Sequence, residues 1–263
     1  MKVTPLPSKK KFVVLSCEVF RREFEYLTPR VPHDIQFGYQ PFGLHDTPHK
    51  IAGTLQEQVD QIEDTDTDAI LIGYGLCSRG YVGLTARSIP LVAPRAHDCI
   101  TVFLGSRDKY TSEFTENPGT YYYSPGWVEH HDPTRSSIDG DAPQAEAAKA
   151  TKYAMYVEKY GEDNAKYLFE MEASWTADYG RLAMIDTGVG DMPRYRAFVE
   201  DLAAKNEWNY AELKGSTDLM FRFLNGDWDD DFLIVPPGHA ITDTVDTDII
   251  RAEELTAFEP DTA

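Results

Sequence analysis

Three cysteines carry the first chemical suggestion in the sequence, because each follows a short apolar run. Cys17 follows Val13-Val14-Leu15-Ser16, Cys77 follows Ile70-Leu71-Ile72-Gly73-Tyr74-Gly75-Leu76, and Cys99 follows Leu91-Val92-Ala93-Pro94-Arg95-Ala96-His97-Asp98. Such runs read as buried strands, and an open parallel sheet binds ligands beyond the carboxyl ends of its strands. If the three strands are neighbours, three thiols and the His97 imidazole meet at one sheet edge. That set is soft enough for zinc or an iron–sulfur cluster. Cys17, Cys77 and Cys99 are therefore candidate metal ligands, with His97 as fourth ligand or acid–base group. The paired Cys-x-x-Cys spacing of a zinc ribbon is absent, so the case for metal rests on placement. Two plainer readings stand beside it: three core thiols, or one reactive thiol at Cys17, with its pKa lowered at the start of a helix over Glu18–Tyr26.

Other side chains around these runs suggest a small-molecule substrate. Gly73, Gly75, Gly80 and Gly83 crowd the second strand end. A dinucleotide fingerprint would need glycine at position 78, which is Ser78, and no phosphate-loop ending follows, so no nucleotide is expected. Gly73 and Gly75 read either as a close approach of backbone to ligand or as a tight turn. Arg79, Arg87, Arg95 and Arg107 are surface ion-pair formers by default. Arg95 is the exception, since it leaves its strand just before His97 and Cys99, where it can clamp a carboxylate or phosphate. Tyr122 and Trp127, with Tyr121 and Tyr123, can wall a ligand, and Glu129 is a candidate proton-transfer group. Of the adjacent His130 and His131 at most one can face a site, and His239 reads as structural.

The elements that must position these groups alternate between strand and helix, the signature of an α/β fold. Strands are expected at Phe12–Ser16, Ile35–Tyr39, Ala69–Gly73, Leu91–Ala93, Leu182–Ile185, Tyr210–Leu213 and Phe232–Val235. Leu55, Val59 and Ile62 share a helical face after Thr47-Pro48, and Phe198, Leu202 and Ala203 do so after Met192-Pro193. Tyr153, Met155, Tyr156, Tyr160, Tyr167, Leu168, Met171 and Trp175 read as a core stripe on helix broken at Gly161. Between Gly105 and Gln144 the pattern fails, which predicts a long functional loop closing over the strand ends. The expected architecture is two Rossmann-like halves with largely parallel sheets, residues 1–144 and 145–263, the second with an acidic tail.

Composition narrows the classes of partner. The 263 residues are 42% apolar, enough for a core without disulfides or structural metal. With 25 Lys+Arg against 44 Asp+Glu, the net charge of −19 repels nucleic acid and anionic membrane. No span has transmembrane length, and the apolar run after Lys9-Lys10-Lys11 is too short for a signal sequence. Three cysteines, an odd number, fit a reduced cytoplasmic setting better than a disulfide framework.

The blocks Leu71-Ile72-Gly73-Tyr74-Gly75-Leu76-Cys77, Pro94 to Ser106 and Pro118 to Trp127, with Ser16-Cys17-Glu18-Val19-Phe20-Arg21-Arg22-Glu23, resemble the hallmark stretches of the domain-of-unknown-function family sixteen-thirty-eight. The resemblance runs from about Phe12 to Val235. It implies no activity directly, but members stand beside corrinoid-dependent methyltransferase genes, which implies a link to one-carbon metabolism by association. The expectation is a metal-dependent enzyme whose site joins the three cysteines and the histidine, for methyl or one-carbon transfer to or from a small substrate. The alternatives are an iron–sulfur lyase or dehydratase acting on a hydroxy acid, and a non-catalytic metal carrier serving a corrinoid methyl-transfer protein.

Overall fold

A computed structural model describes residues 9–42, 44, 47–63, 66–77, 79–131, 153–162, 164–167 and 178–255. Its strands are β1 Lys11–Cys17, β2 Asp34–Gln40, β3 Ala69–Gly73, β4 Leu91–Pro94, β5 Thr120–Tyr123, β6 Arg181–Asp186, β7 Asn209–Lys214, β8 Phe232–Val235, β9 His239–Asp243 and β10 Ile250–Glu254. The principal helices are α1 Arg21–Leu27, α2 Ile51–Gln61, α3 Cys99–Leu104, α4 Arg107–Glu116, α5 Pro125–His131, α6 Met192–Lys205 and α7 Asp218–Asn225. Each of the seven expected strands is present to within one residue at either end.

Contacts gather the chain into two compact units. The first comprises Met1–Ser112, Thr187–Val189 and Lys214–Ala263 and holds a five-stranded sheet in the order β2-β1-β3-β4-β8. β1 runs parallel to β2 and β3, and β3 parallel to β4; only β8 is antiparallel. β3 and β4 are buried at every residue, as expected of central parallel strands covered on both faces. Ile51, Leu55 and Val59 of α2 are buried at the four-residue spacing of one helix face. Phe24 of α1 stacks on Phe223 of α7 at 6.2 Å, and Phe223 on Phe232 of β8 at 5.9 Å.

The second unit comprises Glu113–Asp186 and Gly190–Leu213 and is built on β5-β6-β7, with β5 parallel to β6. α6 begins at an Asp191 cap, whose carboxylate accepts from the Arg194 N–H at 3.3 Å, with Pro193 in the first turn. It buries Met192, Tyr195, Val199 and Ala203 against Tyr123, Val128, Leu182 and Met184. Together the units make an α/β, Rossmann-like fold with largely parallel sheets.

Several expectations are corrected. The chain enters the second unit and returns: β8, at the C-terminal side, completes the first sheet. One cut in the sequence does not describe that interleaving, and the boundary expected near Ala145 lies outside the described residues. The stretch after Gly105 is not a loop up to His131, since it forms α4, β5 and α5. α4 hid from a periodicity reading because it buries none of its residues and so carries no apolar stripe. Its continuation, 132–144, lies outside the described residues. Residues 153–160 are helical and Gly161 takes φ +79°, but Met155, Tyr160 and Tyr167 are exposed rather than core. Leu168, Met171 and Trp175 lie outside the described residues. The β9–β10 hairpin is an unexpected antiparallel pair. Among the described residues no helix is long and apolar enough to cross a membrane.

Candidate functional site

The sheet order sets β1, β3 and β4 side by side, so their carboxyl ends form one edge of the first unit. Cys17 is the last residue of β1, Cys77 lies in the turn after β3, and Cys99 opens α3 after β4. Backbone hydrogen bonds tie the last two loops: the Leu76 N–H donates to Ala96 O at 2.8 Å and the Cys77 N–H to His97 O at 3.0 Å.

The two glycines serve this closure. A Cβ on Gly75 would lie 2.3–2.6 Å from the Asp98 backbone, and one on Gly73 would lie 2.5 Å from Ser16 Oγ. The Ser16 hydroxyl fills that space and donates to Gly73 O at 3.0 Å. Protein thus occupies the room reserved in sequence for a ligand. Cys77 itself adopts φ +44° and Arg79 φ +66°. Non-glycine residues rarely hold left-handed backbone, and such strain gathers at functional sites.

Burial dominates the electrostatics of the thiols. It pushes the Cys77 thiol up to about 12, an effect reinforced by Asp98 and Cys17 and opposed by the backbone N–H groups of Cys99 and Gly75. Burial also raises Cys17, which the Val19 N–H partly offsets, while Cys99 and Glu18 add to the rise. Each thiol therefore lies in the field of another. Against the reading of Cys17 as a lone activated nucleophile, the helix expected there starts as a 3-10 turn, Glu18–Phe20, and desolvation outweighs the Val19 N–H.

Asp98 sets the third loop. Its Oδ1 accepts from the N–H groups of Ile100 and Thr101 at 3.0 and 3.2 Å, capping α3, and its Oδ2 accepts from the Tyr110 hydroxyl at 3.0 Å. Burial nevertheless holds its carboxyl above the usual range, opposed in turn by the Thr101 N–H, Tyr110, the Ile100 N–H and His97. The exposed His97 ring stacks on Tyr110 at 5.6 Å. It borders, with Arg95, Arg107 and Asp231, a polar cleft of about 870 Å³. The half-buried Arg95 already spends one guanidinium nitrogen on the carbonyls of Asp248 and Ile250.

The structure thus brings together, in the first unit, Cys17, Cys77, Cys99, Gly73, Gly75, His97 and Arg95. Among the described residues, however, no group of three or more His, Cys, Asp or Glu side chains is set to hold a metal ion. Tyr122, Trp127 and Glu129 belong to the second unit. There Tyr122 is buried, Trp127 packs on the core and stacks on His131 at 5.2 Å, and Glu129 accepts from the Tyr195 hydroxyl at 2.6 Å. Arg79, Arg87 and Arg107 are ion-paired with Asp243, Asp60 and Asp231, as surface arginines commonly are. His239 Nδ1 lies 3.2 Å from Pro237 O. Sequence reasoning passed over Tyr74, Tyr81, Asp98 and Tyr110. A signal for Asp98 was available, since Asp directly before an apolar helical run is a cap.

The family model described as protein of unknown function (DUF1638) matches residues 39–224. No curated protein and no solved structure matches the chain.

Proposed function

The chain belongs to DUF1638, a family of proteins of unknown function, and we propose that it is a metal-dependent enzyme whose soft-metal centre forms at Cys17, Cys77 and Cys99. The observation that carries this reading is the setting of Cys77. The residue is half-buried, and burial pushes its thiol up while the N–H groups of Cys99 and Gly75 pull it the other way. N–H groups that favour the thiolate, set against partial burial that disfavours it, leave a charge that a cation can balance. A thiophilic metal provides one, since it deprotonates a coordinating thiol outright.

His97 serves in this reading as fourth ligand or as proton-transfer group, and the cleft that it borders with Arg95 admits a small substrate. That cleft, which His97 links to the loop of Cys99, favours an enzyme over a metal carrier, which has no use for a substrate space. Bound zinc would supply an open position for a substrate thiolate in methyl or one-carbon transfer, with a corrinoid protein as methyl-transfer partner, whereas a cluster with one open iron would supply Lewis acidity for elimination from a hydroxy acid. No disulfide joins Cys17, Cys77 and Cys99, in keeping with a reducing cytoplasmic setting. Because no ready-made ligand group exists among the described residues, metal uptake in this reading draws the three sulfurs together.

The test is metal and labile-sulfide analysis of protein purified without oxygen, for the wild type and for Cys17→Ser, Cys77→Ser and Cys99→Ser. The expected result is near-stoichiometric zinc or iron in the wild type and loss of most of it in every single variant. Sulfide accompanying iron selects the cluster. A folded wild type that takes up neither metal overturns the proposal.

A further inference from the structure

Two tyrosines with no role in the thiol reading stand on the same strand-end loop. Tyr74 directly follows β3, and Tyr81 lies four residues beyond Cys77. Their side chains are 1% and 0% exposed, and neither hydroxyl has a hydrogen-bond partner in the structure, the cysteine sulfurs included. Neighbouring buried hydroxyls are satisfied: that of Ser16 donates to Gly73 O. An unpaired buried hydroxyl is costly, and two on one short loop at a candidate site point to an acceptor that the protein itself does not supply.

Both hydroxyls lie in the field of the site. Tyr74 is acted on by Cys17, Cys77 and Glu18, and Tyr81 by Cys77 and, with opposite sign, by Arg95. Cys77 is common to both. Tyr39 also has an unpartnered hydroxyl, but its ring lies under the Arg21 guanidinium, 4.6 Å away on β2.

We propose that Tyr74 and Tyr81 are paired hydroxyl donors for an anionic oxygen seated against Cys77, so that the site takes a small carboxylate or hydroxy acid. A phenol offers one proton, and a charged oxygen accepts it more strongly than a neutral one. Arg95 is a cation in the surroundings of Tyr81 and can offset the charge of a negative ligand there, against the opposite influence of Cys77 on both rings and of Glu18 on Tyr74. In a chain of net charge −19, an anion needs such local donors to overcome long-range repulsion. The cost of leaving two hydroxyls unpaired is the signature of a preorganised site, in which stability is given up for binding.

This inference rests on the proposed thiol centre for the location of the substrate, but its donors are separate from the metal ligands. The experiment titrates the anaerobically purified wild type, Tyr74→Phe, Tyr81→Phe and the double variant with acetate, glycolate and inorganic phosphate, with acetamide as neutral control. Metal content is measured alongside. The wild type should bind acetate or glycolate and not acetamide. Each single variant should weaken that binding about tenfold or more, with metal content unchanged, and should melt higher than the wild type without ligand. If the protein holds no metal but tyrosine-dependent carboxylate binding persists, the metal reading fails and this inference stands. Absence of carboxylate binding in the wild type, or binding unaffected by both substitutions, overturns it. If the variants do not fold, the wild type labelled in its tyrosine rings decides: glycolate should bring two hydroxyl protons into slow exchange, and no change in any tyrosine contradicts the proposal.

Discussion

The backbone N–H of Cys77 donates to the carbonyl of His97 at 3.0 Å, which fastens the loop after β3 to the loop after β4. Two cysteines twenty-two positions apart in sequence thereby share one piece of backbone, and Cys17, at the end of the adjacent β1, completes the edge.

That fastening depends on Gly75. A methyl group there meets the Asp98 backbone at 2.3–2.6 Å, and backbone yields less readily than a flexible side chain. Gly75→Ala should destabilise the protein by about 1–3 kcal/mol or more, read from the midpoint of urea unfolding. Gly53→Ala is the contrast. Gly53 lies inside α2, and its Cβ would meet nothing within 4 Å, so this substitution should stabilise by about 0.5–1 kcal/mol. Equal effects of the two would refute the packing account.

Asp98→Ala should cost about 1–2 kcal/mol through loss of the α3 cap, and somewhat more through the Tyr110 hydroxyl left without its acceptor. The penalty should depend on pH in a definite sense. Burial raises the folded-state pKa of Asp98 above its ordinary 3.8, so the folded chain binds that proton more tightly than the unfolded one. The stability this adds is complete below the unfolded value and is lost as pH rises through the folded one. The gap between wild type and variant should therefore be widest below the unfolded value of 3.8 and shrink toward neutrality, as followed by chemical denaturation at several pH values. A gap that widens toward neutrality would contradict the assignment.

In protein stripped of metal the thiols should be inert. With Cys77 pushed up to about 12, about one molecule in ten thousand carries its thiolate at pH 8. Iodoacetamide at that pH should leave the folded protein nearly unmodified, and all three cysteines should react once urea unfolds it. Mass spectrometry of the labelled protein distinguishes the cases. Fast labelling of Cys77 in the folded state would show that its sulfur is not desolvated.

Glu129 should prove structural. Tyr195 donates to it at 2.6 Å across the α5–α6 packing of the second unit, so Glu129→Ala should destabilise by about 1–2 kcal/mol. Glu129→Gln, which keeps an acceptor oxygen, should cost less. Neither should alter metal content. A variant that folds normally but loses its metal would return Glu129 to the site.

The central strands were readable because β3 and β4 are buried on both faces and so appear as unbroken apolar runs, Ala69–Gly73 and Leu91–Pro94. The thiol edge was readable for the same reason, since each cysteine stands a few residues beyond such a run. Where order comes from tertiary contacts, the residues gave less. α4 is amphiphilic on no face, and β5 follows Pro118-Gly119, which reads as a turn. The return of β8 to the first sheet depends on pairing at long range. The glycines misled because a close approach looks the same in sequence whether the neighbour is a ligand or, as at Gly75, the backbone of Asp98. The tyrosine hydroxyls could not be singled out, because only packing decides which phenols are left without an acceptor.

The most direct test of the thiol centre is X-ray absorption at the metal edge, on wild-type protein and on Cys77→Ser loaded with one equivalent of zinc under anaerobic conditions. The account predicts three sulfur neighbours at about 2.3 Å in the wild type and fewer in the variant, with nitrogen or oxygen completing the shell. A wild-type spectrum with only nitrogen and oxygen neighbours, or one unchanged by Cys77→Ser, would contradict it.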